Sequence, residues 1–100
     1  MPDPTIDQIL RANGYESAED AILETMVGKS LRKEIGRRFR FALWPKRLSP
    51  FKGDEIGTRY TTYVEAWWEP IRINGERWWH IMATIPGSNI EIEVSKGRVR

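Results

Sequence analysis

A chain of 100 residues, with 40% hydrophobic and 30% charged side chains, suits one hydrophobic core, so we expect a single domain over residues 1–100. The absence of cysteine excludes disulfides and thiolate zinc sites, and no apolar run is long enough to span a bilayer. Met1-Pro2-Asp3-Pro4 lacks the basic start and apolar stretch of a signal peptide. The expectation is a cytoplasmic protein without membrane partners.

Charge is strongly segregated along the chain, although the net charge is only +2. Residues 1–28 carry a net −5, residues 29–52 a net +8 and residues 53–100 a net −1. We call residues 29–52 the basic segment. It could attract nucleic acid or an acidic protein surface, or it could dock against the acidic N-terminal helices of the same chain.

Two helices are predicted in the acidic part of the chain. Thr5-Ile6-Asp7-Gln8 fits a capping box that begins a helix over about 6–13, and Gly14 ends it. Ser17 is an N-cap signal for a second helix over about 18–28.

Helical spacing continues into the basic segment through Leu31, Ile35 and Phe39, which predicts a basic helix over about 30–40. Gly28 and Ser30 leave open whether 18–28 and 30–40 form one helix or two. The alternation that begins at Phe39 predicts a change to strand there. Prolines and glycine then predict a loop, formed by Pro45, Pro50 and Gly53.

Three strands are predicted in the second half: about 59–73, 76–85 and 89–94. Asn74-Gly75 between the first two favours a two-residue type I′ hairpin, which pairs Ile73 with Glu76 and fixes every later pair. Helices followed by strands predict an α+β fold. Two or three N-terminal helices (about 5–40) would pack on a three- to four-stranded antiparallel sheet (about 39–95).

This register assigns the hairpin two faces. The core face collects the pairs Val64 with Ile85, Ala66 with Ala83, Trp68 with Ile81, and Pro70 with Trp79. Pro70 indicates that 64–73 is an edge strand or is bulged there, which would leave 76–85 central. A four-residue loop at 86–89 would bring Ile90, Ile92 and Val94 to the core face.

The opposite face carries aromatic, apolar and charged side chains together. We call six of them the interaction face: Trp67, Glu69, Ile71, Trp78, His80 and Met82. If exposed, they would form a surface for a protein partner or for homo-oligomerisation; alternatively, another element covers them. Glu93 is predicted beside His80, so Glu69, His80 and Glu93 form either an acid–base group or surface ion pairs.

Motifs of cofactor, metal and catalytic sites are missing. Gly28-Lys29-Ser30 resembles the end of a phosphate-binding loop, but Leu23 stands where that motif requires glycine. With one histidine and no cysteine, we predict no metal site and no cofactor, and we assign no catalytic residue.

One further pattern lies in residues 51–75. Phe51-Lys52-Gly53-Asp54, then Gly57 and Tyr60, then Ile71-Arg72-Ile73-Asn74-Gly75, resemble the sheet region of RelE/HigB-type ribosome-dependent RNase toxins. The resemblance implies a glycine-containing loop beside an arginine-bearing hairpin, with basic residues on mRNA. This chain departs from the pattern by extra residues between the two pieces and by the lack of an N-terminal strand.

The leading hypothesis is a small non-catalytic module that binds nucleic acid through the basic segment. The residues predicted to contact it are Arg32, Lys33, Arg37, Arg38, Arg40, Lys46 and Arg47. The alternatives are a protein-interaction or self-associating module that uses the interaction face, and a RelE/HigB-like RNase toxin.

Overall fold

A computed structural model describes residues 4–29, 37–43 and 62–99. In these ranges the chain forms two helices, α1 (Ile6–Ala12) and α2 (Ala18–Met26), and four strands. The strands are β1 (Arg38–Ala42), β2 (Tyr63–Ile73), β3 (Glu76–Thr84) and β4 (Glu91–Arg98). They form one antiparallel sheet in the order β1-β2-β3-β4. The α+β class and the N-terminal position of the helices agree with the prediction.

Both helices begin at the predicted caps. The Thr5 hydroxyl accepts from the Gln8 amide while the Gln8 side chain accepts from the Thr5 amide, so the capping box forms in both directions. The Ser17 hydroxyl accepts from the Asp20 amide at the start of α2. Gly14, which follows α1, has φ +92, a left-handed conformation that glycine adopts without steric cost.

The basic helix predicted to continue to residue 40 is wrong at its C-terminal end. The second helix ends at Met26, so no continuous helix joins 18–28 to 30–40. Arg38 to Ala42 form a strand because the alternating sequence places Phe39 and Phe41 against the core while Arg38 and Arg40 face outward. Residues 30–36 lie outside the described residues.

The hairpin register is confirmed. Asn74 and Gly75 both have positive φ, +50 and +78, as a type I′ turn requires. Ile73 pairs with Glu76, and the ladder continues without a shift to Glu65 and Thr84. Because a two-residue loop leaves one way to align its strands, the sequence predicts which tryptophan faces which side.

The prediction that β2 is an edge strand, or is bulged at Pro70, holds only in part. β2 pairs with β1 over Tyr63–Trp67 and with β3 over Glu65–Ile73, without a bulge, so among the described strands only its second half has a single neighbour. Pro70 is tolerated because it lies beyond the stretch that β1 pairs. By the alternation of the ladder, residue 70 directs its backbone nitrogen away from β3, so its missing N–H removes no β2–β3 bond.

The last strand is longer and less regular than predicted. It runs to Arg98, and its register shifts by one residue opposite Ile81 and Met82. Met82 pairs with Glu93 but Ile81 pairs with Ser95, so Val94 is the extra residue of a β-bulge. Thr84 pairs with Glu91, the register that the expected four-residue loop at 86–89 implies.

The core lies between the helices and one face of the sheet. Leu10, Ala21 and Ile22 are fully buried on the helices, and they belong to one cluster with the sheet residues Val64, Ala66, Trp68, Ile81, Ala83 and Ile85. Ile90, Ile92 and Val94 pack against this cluster, as predicted. Neither described helix has the length and apolar character needed to cross a bilayer.

Candidate functional site

The interaction face is assembled as predicted, but its central tryptophan is covered. Trp67 is 7% exposed, and the Arg38 guanidinium lies 4.2 Å from the centre of its ring. The exposed large hydrophobic residues among those described are Leu23, Val27 and Val99, none of which belongs to this face. Arg38 therefore covers the Trp67 ring and makes a cation–π contact with it.

A chain of contacts crosses all four strands on this face. Arg38 on β1 stacks on Trp67, whose indole N–H donates to Glu69 Oε2 at 3.2 Å. Glu69 Oε1 lies 2.7 Å from His80 Nε2, and His80 Nδ1 lies 3.0 Å from Glu93 Oε2 on β4. We call these five residues the cross-strand chain.

The geometry of the cross-strand chain leaves little of His80 open to a substrate. The His80 side chain is 12% exposed, and both of its ring nitrogens face a carboxylate. Neutral imidazole can donate to one carboxylate and imidazolium to both, so neither nitrogen is directed at a substrate. Within the part of the chain that the structure describes, no cluster of potential ligands could hold a metal ion.

The described members of the basic segment gather at β1. Lys29, Arg37, Arg38 and Arg40 are exposed. Each lies over an aromatic ring: Lys29 over Phe41 at 4.7 Å, Arg37 over Phe39 at 5.8 Å, Arg38 over Trp67 and Arg40 over Tyr63 at 5.1 Å. Cations therefore lie on both faces of β1. Arg32, Lys33, Lys46 and Arg47 lie outside the described residues.

A groove of about 440 Å³ runs beside β1. Lys29 and Arg40 line it together with Glu24 of the acidic helix α2. Acidic and basic parts of the chain are thus neighbours here, as the self-docking alternative requires. Arg38 also contacts a carboxylate, with its Nη1 3.6 Å from Glu65 Oε1.

A second cavity, of about 450 Å³, lies near the tip of the hairpin. Arg72 and Arg77 pair directly across the strands, and both line it with Trp68, Pro70 and Val99. Like charges in this arrangement repel each other, and in the described ranges no carboxylate forms an ion pair with either one. Arg72 carries the resemblance to RNase toxins, whereas Phe51–Asp54, Gly57 and Tyr60 lie outside the described residues.

Sequence reasoning missed the end of β4 and the contribution of Lys29 to the β1 surface. The signal for the former is a change of phase, since the apolar alternation of Ile92 and Val94 does not continue evenly to Gly97 and Val99. A bulge is the usual cause of such a change within one strand.

Comparison with known proteins does not assign a family. No protein-family model, no curated protein and no solved structure matches this chain.

Proposed function

We propose that this chain is a small binding module that contacts nucleic acid through the basic segment around β1. The observation that carries the proposal is the set of exposed cations at that strand: Lys29, Arg37, Arg38 and Arg40. Guanidinium groups match phosphate geometry, and several cations gathered around one strand attract a phosphate backbone. Contact through phosphates predicts binding with little dependence on base sequence.

The aromatic rings beneath these cations support the proposal in a second way. Lys29, Arg37 and Arg40 lie over aromatic rings, and these cation–π contacts hold the charged groups near β1. An aromatic ring holds the side chain without adding a negative charge of its own. Glu65 lies near Arg38 and weakens the positive potential there.

The test is fluorescence anisotropy with labelled duplex DNA, single-stranded DNA and RNA at two salt concentrations. Three phosphate contacts predict that affinity falls roughly 40-fold for duplex DNA, and roughly 20-fold for the single strands, between about 50 mM and about 200 mM salt. The double variant Arg37→Gln/Arg40→Gln should lose about two thirds of that salt dependence and bind more weakly at low salt.

The matched control is Arg72→Gln/Arg77→Gln, which removes the same charge from exposed residues at the hairpin tip. It should bind nearly as tightly as the unmodified chain. Absence of binding to all three probes at low salt would refute the proposal. If the control loses more affinity than the β1 variant, the nucleic-acid site lies at the hairpin tip instead.

Protein interaction through the interaction face is the second candidate. Its support is the apolar part of that face, where Ile71, Trp78 and Met82 are half-buried and keep part of their surface open to solvent. A partner would bury that apolar surface. Crosslinking through a photoreactive residue at Met82, which is half-buried on the same face, should then capture a protein; without a crosslinked product this candidate fails.

The RNase-toxin alternative rests on Arg72 and the resemblance of the hairpin. If it is correct, expression of the chain arrests growth and Arg72→Ala relieves the arrest. Normal growth on expression, with the folded protein present, would dismiss it.

A further inference from the structure

The charged residues of β4 have an order that is unusual for a sheet edge. In the described sheet, β4 is the last strand and pairs with β3 alone. Its four charged residues are exposed and lie on the outer face: Glu91, Glu93, Lys96 and Arg98. The two acids come first along the strand and the two bases second.

The order of these charges favours pairing of β4 with a second copy of itself. Edge strands commonly carry charged side chains, which discourage pairing with another strand, and charges of one sign would repel a second copy of the same edge. When two copies of β4 run antiparallel, the acidic half of one strand meets the basic half of the other. A two-fold axis between Val94 and Ser95 places Glu91 opposite Arg98 of the second copy, and Glu93 opposite Lys96 of the second copy.

The backbone hydrogen bonds favour the same alignment after the bulge. Val99 N donates to Arg77 O at 3.0 Å, which sets the phase of the β3–β4 ladder. Antiparallel alternation then directs the backbone groups of Ser95 and Gly97 towards β3. Those of Lys96 and Arg98 are directed towards the outer edge.

The bulge at Val94 reverses this phase in the first half of β4. Ala83 continues the alternation of β3 and pairs with Ile92, so the backbone groups of Ile92 are directed towards β3. Glu91 and Glu93 are therefore the residues directed outward. In a regular strand, every second residue would direct its backbone groups outward along the whole length. The alignment that matches the charges would then place outward-directed backbone groups of one copy opposite inward-directed backbone groups of the other.

We propose that β4 pairs antiparallel with β4 of a second copy of this chain, about a two-fold axis between Val94 and Ser95. Two four-stranded sheets join into one continuous sheet, with four cross-strand ion pairs on its outer face. Arg98 contacts Glu76 of its own chain through Nη2, so its other terminal nitrogen meets Glu91 of the second copy. Glu93 Oε2 lies 3.0 Å from His80 Nδ1, so the other oxygen of Glu93 meets the Lys96 ammonium. The dimer uses neither the interaction face nor β1, and it does not depend on nucleic-acid binding.

Sedimentation equilibrium from micromolar to millimolar chain concentration tests the proposal. The unmodified chain should show a monomer–dimer equilibrium. Glu91→Arg places two arginines opposite each other at both ends of the interface, and should weaken the dimer about tenfold or more. The charge-swapped double variant Glu91→Arg/Arg98→Glu restores opposite charges and should recover most of the loss.

The matched control is Glu16→Arg, which makes the same change of charge at an exposed residue outside the sheet. It should leave the equilibrium constant unchanged. A monomer at every concentration overturns the proposal, and so does a dimer that Glu91→Arg leaves intact. A swapped variant as weak as Glu91→Arg alone overturns the alignment, once its thermal unfolding shows that it folds.

Discussion

The two outer strands of the described sheet differ in charge and in how they are held. β1 carries cations over aromatic rings, with Phe39 and Phe41 packed on the core. β4 carries acids and then bases, and it approaches β3 so closely at Gly97 that a side chain there would meet Trp79. An edge of one sign repels its own copy and attracts a polyanion, whereas an edge with both signs in this order can pair with itself.

The largest effect is expected where β4 meets Trp79. A Cβ at position 97 would clash with the indole ring of Trp79, which stacks on Trp68 with centroids 6.3 Å apart. Gly97→Val should therefore lower the free energy of unfolding by about 3 kcal/mol. Chemical denaturation measures the change, with Ser95→Ala as a control that should stay within about 0.5 kcal/mol.

A double-mutant cycle sharpens this prediction. If the ring is the obstacle, Gly97→Val should cost less in a Trp79→Leu background, because the smaller side chain leaves room. An equal cost in both backgrounds would contradict the packing account of β4.

An intermediate effect is expected at β1. Phe41 is half-buried against the core, so Phe41→Ala should lower the free energy of unfolding by about 1.5 kcal/mol. It also removes the ring under Lys29. Arg40→Gln, on the outward side of the same strand, should change stability by less than about 0.5 kcal/mol. A loss at Arg40 as large as the loss at Phe41 would mean that the cations hold β1 in the sheet.

The smallest effect is expected in the cross-strand chain that links the two edges. Glu69 is partly exposed, so Glu69→Gln, which keeps the shape but removes the charge, should cost about 0.5 kcal/mol. The control is Glu76→Gln, because Glu76 contacts Arg98 and does not belong to the cross-strand chain. If Glu69→Gln alone lowers the free energy of unfolding by several kcal/mol, the cross-strand chain is a tightly coupled network.

The central hairpin could be predicted from sequence because its signals are local. Asn74-Gly75 fixes the turn, the turn fixes the register, and the register separates Trp68 and Trp79 from Trp67 and Trp78. Residue identity also explains the caps at Thr5 and Ser17, where the hydrogen-bonding partner is three residues away.

The edges could not be predicted as well because they depend on distant contacts. Apolar residues from Ile22 to Phe39 fit helical spacing, but β1 forms because β2 supplies its backbone partners. The covering of Trp67 depends on Arg38 in another strand, so exposure of the interaction face could not be judged from alternation. The bulge at Val94 leaves only a change of phase between Ile92 and Val99 in the sequence, and that change does not say where along β4 the extra residue lies.

We propose that β1 binds nucleic acid and that β4 pairs with a second copy. The most direct test of this difference is amide hydrogen exchange, measured with and without saturating RNA at one chain concentration. Binding at β1 predicts slower exchange in residues 37–43 when RNA is added, and no change in residues 91–98. Unchanged exchange in residues 37–43 on saturation, or protection that appears in residues 91–98 instead, would contradict the proposal that β1 is the nucleic-acid surface.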